Sequence, residues 1–188
     1  MHKQFVRLLV CFSLVTASLA VAAQESTKYP AEIADFQKWE KFPAECAGYR
    51  RSTVRAYAPA LADYSVTYQS FGSMLRNTVT LFFYPRKEDS SAQLRAEVSE
   101  VRNAHKDAQI VNRRAIKLEA NGKAYDATLI TFEFTDRIAE NPQKLSSQLL
   151  IVFFDSRTFK VRSTSSAEQG GEAEVAVRKL LQCVAWST

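Results

Sequence analysis

Cys46, Cys183, His105 and the carboxylates Glu133, Asp136 and Asp155 are the side chains whose types and positions could carry chemistry in this chain. A Ser/His/Asp arrangement would have to use His105, and no nucleophile-elbow glycine motif accompanies it. His-Glu-x-x-His, Cys-x-x-Cys and a Gly-rich phosphate loop are all missing, which removes the usual zinc-hydrolase, dithiol and nucleotide signatures. The three carboxylates fall near strand ends, where two could pair for acid–base work. Solvation or pairing with Lys and Arg is their ordinary state, and Glu133 stands out only because it lies between Phe132 and Phe134. No residue set specifies a reaction. The expectation is a protein without catalytic residues, cofactor or metal; with one histidine beyond the first 23 residues, a Cys/His metal site has too few ligands.

The first 23 residues read as a secretory leader. Lys3 and Arg7 give a positive start, Leu8–Ala20 is free of charge, and Ala20-Val21-Ala22-Ala23 supplies small residues for cleavage. The apolar run is too short to span a bilayer, which takes roughly 20 residues, and no later stretch approaches that length. Cys11 follows Leu8-Leu9-Val10 rather than a small residue, so lipid attachment is not expected. Without the leader, 23 Lys+Arg face 20 Asp+Glu, a net charge of +3. Basic pairs such as Arg50-Arg51 and Arg113-Arg114 are interspersed with acids, which argues against nucleic-acid binding. Two cysteines remain, and in an exported protein an even count favours a disulfide between Cys46 and Cys183; a pair of buried free thiols is the alternative. The expected location is periplasmic or secreted.

The elements that would position these residues can be read from periodicity. Residues 24–41 form a polar N-terminal segment that Pro30 could open as a short helix or arm, and residues 42–188 form a single domain. "STVRAYA" (52–58), "DYSVTYQ" (63–69) and "NTVTLFFYP" (77–85) read as strands, the second alternating cleanly about Tyr64, Val66 and Tyr68. Ser90 and Gln93 suggest a capping box opening a helix whose apolar face carries Leu94, Val98, Val101 and Ala108, with His105 at its border. Asn121-Gly122 marks a hairpin within residues 115–134, and Asn141-Pro142 a longer loop. Residues 147–165 form a second hairpin turning at 155–158. A last helix spans Glu172–Trp186, with Val177, Leu180, Leu181, Cys183 and Val184 inward.

Two runs, "VTLFFY" and "LLIVFF", are apolar on both faces, so their strands need cover on both sides. The expected fold is α+β: a mostly antiparallel sheet of about six strands packed with two main helices, plus the short N-terminal helix or arm. Both helices are expected on one face, with the N-terminal segment or long loops covering part of the other.

Reading from Asp63, the order runs strand, strand ending "FFYPR", capped helix, Asn-Gly hairpin ending "TLITFEF", hairpin "LLIVFFDSRTFKVRSTS" and a helix closing on "LLQCVAW". This resembles the PsbP/DcrB-like fold of exported proteins. The stretch "FPAECAGYRRSTVRAYAPALADYSVTYQ" is also similar to the start of small exported bacterial proteins of unknown function, where a Pro-x-x-x-x-Gly-aromatic turn, here Pro43 to Gly48-Tyr49, leads into the first strand. The resemblance implies a docking or assembly role and assigns no functional residue.

The leading expectation is therefore a non-catalytic protein-binding or assembly factor of the cell envelope, its partner an envelope protein. The contact surface is expected on the sheet face opposite the helices, drawn from the exposed members of Tyr57, Tyr64, Tyr68 and Phe71 together with Arg55. A carrier of a small apolar ligand, enclosed between sheet and N-terminal segment in a pocket of several hundred Å³, is the alternative. A hydrolase dependent on His105 is the third reading.

Overall fold

Tyr64, Val66 and Tyr68 project to one side of the backbone and Ser65, Thr67 and Gln69 to the other, as a strand with its aromatic side inward requires. The computed structural model describes residues 41–184 apart from 59–62, 73–75, 87–88, 121–122, 139 and 155. The expected leader (1–23), all but the last residue of the expected arm (24–41), the Asn121-Gly122 turn, Asp155 and Trp186 lie outside the described residues.

The fold is α+β. Eight strands form one sheet: β1 (Glu45–Cys46), β2 (Tyr49–Ala56), β3 (Tyr64–Ser70), β4 (Asn77–Pro85), β5 (Gln109–Ala120), β6 (Lys123–Ile138), β7 (Asn141–Phe153) and β8 (Arg157–Ser166). In space they run β1-β2-β3-β4-β8-β7-β6-β5, and every neighbouring pair is antiparallel. Helix α1 (Ser90–Ala104) joins β4 to β5, and α2 (Gly170–Cys183) follows a short 3-10 turn after β8. The strand count exceeds the expected six because β1 has only two residues, below any readable period. β5, the first arm of the hairpin expected within residues 115–134, begins earlier, at Gln109.

The two helices lie on opposite faces of the sheet, which corrects the expectation that both share one. Leu94 and Val101 of α1 meet Ile130, Phe132 and Phe134 of β6 with Leu145, Leu149 and Ile151 of β7. On the reverse side Val177, Leu180 and Leu181 of α2 meet Leu118, Leu129, Leu150, Val152 and Val161. Residues 149–152 of β7 thus divide between two cores, Leu149 and Ile151 under α1 and Leu150 and Val152 under α2. A strand apolar on both faces obtains one helix per face, and at ~25 cal/mol per Å² of apolar surface a shared-face arrangement would leave one of these rows in water at large cost.

Local signals resolve in detail. Asp89, not Ser90, caps α1, its carboxylate accepting from the Ser91 and Ala92 N–H groups at 2.9 and 3.0 Å. That releases Gln93 to turn inward toward Glu97. The helix ends at Ala104 with His105 as its C-cap, so Ala108 is buried from outside the helix. Asn141 and Pro142 belong to β7 rather than to a long loop, Glu140 turning the chain at φ 69°. Ala47 (φ 51°) and Gly48 (φ 81°) make the two-residue turn from β1 to β2, both in the left-handed region that a primed hairpin turn needs. At Gly170 a Cβ would meet the Ser146 Oγ at 2.9 Å, so the start of α2 touches β7 through a missing side chain. Cys46 of β1 and Cys183, the last residue of α2, are joined in a disulfide spanning 137 residues.

Candidate functional site

Sheet register assembles one polar face from β2, β3 and β4. Thr53, Thr67 and Thr80 stand side by side on three strands, and the Thr67 and Thr80 hydroxyls are 3.2 Å apart. Arg55 pairs with Ser65, and the Tyr57 hydroxyl lies 3.0 Å from the Ser65 Oγ. At the opposite end the Arg50 guanidinium sits 4.8 Å over the Phe71 ring while its Nε donates to Glu45 at 2.7 Å. A bulge between Arg51 and Thr53 shifts the register of β2, which is why Arg50, Thr53, Arg55 and Tyr57 share this face despite their uneven spacing. This is the α1 side of the sheet, but α1 lies over β6–β8 and the Tyr84 end of β4. Among the described residues no helix covers β2 and β3 there, leaving Tyr57 54% and Phe71 37% exposed.

The five residues expected to form a contact surface therefore separate. Arg55, Tyr57 and Phe71 are on the open face. Tyr64 and Tyr68 point the other way, into the core beneath α2, because the strict alternation of β3 sends even-numbered positions inward. Tyr68 is 0% exposed and its hydroxyl donates to the Pro43 carbonyl at 3.1 Å. Tyr64 stacks on Phe83 with ring centres 4.8 Å apart. Burial pushes both hydroxyls up to about 12, opposed in part by the positive charges of Arg157 near Tyr64 and Arg51 near Tyr68.

A second constellation has no counterpart in the sequence reading. Beneath α1, the Lys160 Nζ donates to Glu97 Oε2 at 2.6 Å and to Glu100 Oε2 at 3.2 Å. Tyr84 donates its hydroxyl to Glu97 Oε1, and Gln93 Nε2 donates to the same oxygen at 3.3 Å. The ammonium also lies 4.6 Å over the Phe82 ring. Burial raises the Glu97 carboxyl, but the Lys160 charge and the hydrogen bonds from Lys160, Tyr84 and Gln93 outweigh it, and the group ends below its ordinary value. The Tyr84 hydroxyl is pushed far up, first by burial and then by the Glu97 carboxylate. Burial also lowers neighbouring Arg162. Both Glu97 oxygens are occupied and the Glu97 and Lys160 side chains are only 5% and 9% exposed, so the cluster clamps α1 to β8. The sequence conceals it because Thr158, Lys160 and Arg162 alternate with Phe159 and Val161 just as a solvated strand face would.

Of the remaining chemical candidates among the described residues, His105 and Asp136 meet, and Glu133 lies apart from both. His105 stacks on Phe134 with ring centres 3.7 Å apart, and its Nδ1 is 3.8 Å from Asp136 Oδ2. Glu133 pairs with Lys144 at 2.5 Å and belongs to the opposite sheet face from Asp136. Among the described residues no three His, Cys, Asp or Glu side chains group as metal ligands, and no helix is long and apolar enough to cross a membrane. A crevice between α2 and the sheet, lined by Ile116, Leu118, Val177, Arg178 and Leu181 among others, has a volume of about 20 Å³, room for about one water. No known protein-family pattern matches the chain, and no curated protein matches it either.

Proposed function

We propose that this is an exported, non-catalytic binding or assembly factor of the cell envelope, released from its leader at residues 20–23, as its resemblance to PsbP/DcrB-like proteins implies. It docks an envelope protein through the open face of β2–β4. The observation that carries the reading is the exposure, on one sheet face, of Tyr57 beside Arg55, whose side chain has no acidic partner among the described residues, with Phe71 exposed at the far end of the same face beside Arg50. Exposed aromatic and arginine side chains are the residue types that dominate protein interfaces, and hydroxyls between them can satisfy polar groups of a partner. The partner surface that complements Arg55 is acidic. The carrier reading gains nothing from a crevice of about 20 Å³, and a hydrolase gains nothing from a histidine stacked on Phe134.

Site-specific photo-cross-linking in the host envelope tests this. A photoreactive residue at position 57 captures a discrete protein adduct, one at exposed Val175 on α2 does not, and Arg55→Glu abolishes the adduct. Equal capture from both positions, or none from position 57, counts against the proposal.

A further inference from the structure

β5 closes the sheet on the side away from β1, and among the described residues no strand lies beyond it. Twelve residues of extended backbone thus present outward-facing N–H and C=O groups of alternate positions, the arrangement that accepts an added strand. The side chains along this edge are unequal on its two faces. Arg113, Ala115, Lys117 and Glu119 share the α1 face, being paired with Ile130, Thr128, Asp126 and Ala124, whereas Arg114, Ile116 and Leu118 share the α2 face. Arg113 is exposed with no acidic partner among the described residues, and Lys117 is bonded only to Asp126, itself exposed. On the α2 face Arg114 is tied to Glu174, while half-buried Ile116 lines the crevice beneath α2 together with Leu118, Val177 and Leu181.

These features discriminate among occupants. Antiparallel pairing of β5 with a second copy places cation against cation in the registers centred on Arg113, Arg114 or Ala115. Centred on Arg113 or Arg114, that residue faces its own copy; centred on Ala115, Arg113 faces Lys117. The basic residues therefore disfavour self-association in these registers, and the bulge at Ile110/Asn112 interrupts the edge near its start. The same residues favour acids opposite them, and the other face of an added strand lies beside Ile116 and the crevice.

We propose that the outer edge of β5 is a β-augmentation site for an extended segment of another protein in which acidic residues alternate with apolar ones. The acids pair with Arg113 and Lys117, and the apolar side chains lie along Ile116 at the margin of α2. This goes beyond the open face of β2–β4 and does not depend on it.

The test uses the whole chain with its disulfide formed and a capped, fluorescent ten-residue peptide alternating valine with glutamate, followed by fluorescence anisotropy. Saturable binding is expected, roughly tenfold or more weaker for the valine–lysine analogue and lost when alternate peptide nitrogens are methylated. Arg113→Glu with Lys117→Glu reverses the preference between the two peptides. Hydrogen exchange on the unaltered chain provides a readout independent of the variant's folding: the acidic peptide slows β5 amides and leaves β2 and β3 unchanged. Protection on β2–β3 instead, no protection at all, indifference to methylation, or a concentration-dependent dimer abolished by Arg113→Glu would each overturn the assignment.

Discussion

The Lys160 ammonium lies 2.6 Å from the Glu97 carboxylate, and the pair bridges the middle of α1 to the middle of β8 where neither group meets bulk water. Removing one partner strands the other as a buried charge. Lys160→Met or Glu97→Ala alone is therefore expected to lower stability by about 3–5 kcal/mol. The double variant Glu97→Leu with Lys160→Met is expected to recover most of that, because apolar groups of similar volume need no desolvated partner. Urea midpoints for the two single variants and the double variant check this, and additive losses would refute the clamp.

Acid should unfold the protein partly through the same residue. The Glu97 carboxyl sits below its ordinary value when folded, so in the acid range the unfolded chain binds more protons and stability rises with pH. Its contribution is complete above the unfolded value of about 4.3 and is lost as pH falls through the folded value. Urea midpoints followed from about pH 7 to about pH 3 should drop less steeply in Glu97→Gln than in the parent.

At the alkaline end the sign reverses. Tyr64 and Tyr68 hold their protons up to about 12 in the folded chain. An unfolded tyrosine ionises around 10. Their contribution is intact below about 10 and lost as pH climbs through 12. Ultraviolet titration should show this as tyrosinate absorbance that appears late and together with loss of folded structure, and Tyr68→Phe should remove part of that late component.

The separation of the five sheet residues into two faces yields a contrast in stability. Tyr57→Ala and Arg55→Ala touch only the open face and are expected to change stability by about 0.5 kcal/mol or less. Tyr68→Ala empties a fully buried site and loses the bond to Pro43, at about 3–5 kcal/mol. Chemical denaturation of the three variants decides it, and a stable Tyr68→Ala would place that ring outside the core.

Much of this organisation was legible in the sequence, and what was not has identifiable causes. The alternation of β3, the apolar run of β7 and the inward face of α2 were readable because burial imposes a period on them, except that Cys183, expected inward, is exposed at the end of α2. The requirement that residues 149–152 be covered twice was also readable. Which helix covers which face was not, because the route from β4 to β5 passes over β8, β7 and β6, and no local pattern records that crossing. The Glu97–Lys160 cluster was hidden for a related reason. A polar row on a strand looks solvated unless the helix above it is known, and the partners are 63 residues apart. On the open face, the bulge after Arg51 erased the simple even-and-odd count that would have grouped Arg50 with Thr53 and Arg55.

Cys46 and Cys183 tie the shortest strand of the sheet to the last residue of α2, across 137 residues of sequence. With only two residues, β1 cannot hold its place by ladder bonds alone, and α2 ends beside Val184, which belongs to the same core as Phe42 and Tyr49. A loop this long, when closed, restricts the unfolded chain by at most about 5 kcal/mol in the chain-entropy view, with about 2–4 kcal/mol more usual. Replacing both cysteines by serine should accordingly lower the urea midpoint substantially while leaving far-ultraviolet circular dichroism unchanged at low denaturant, since the eight strands and both helices retain their other contacts. Adding reductant to the parent should reproduce the shift and have no effect on the double variant. A midpoint unmoved by reductant would show that the bond does not contribute to stability in solution.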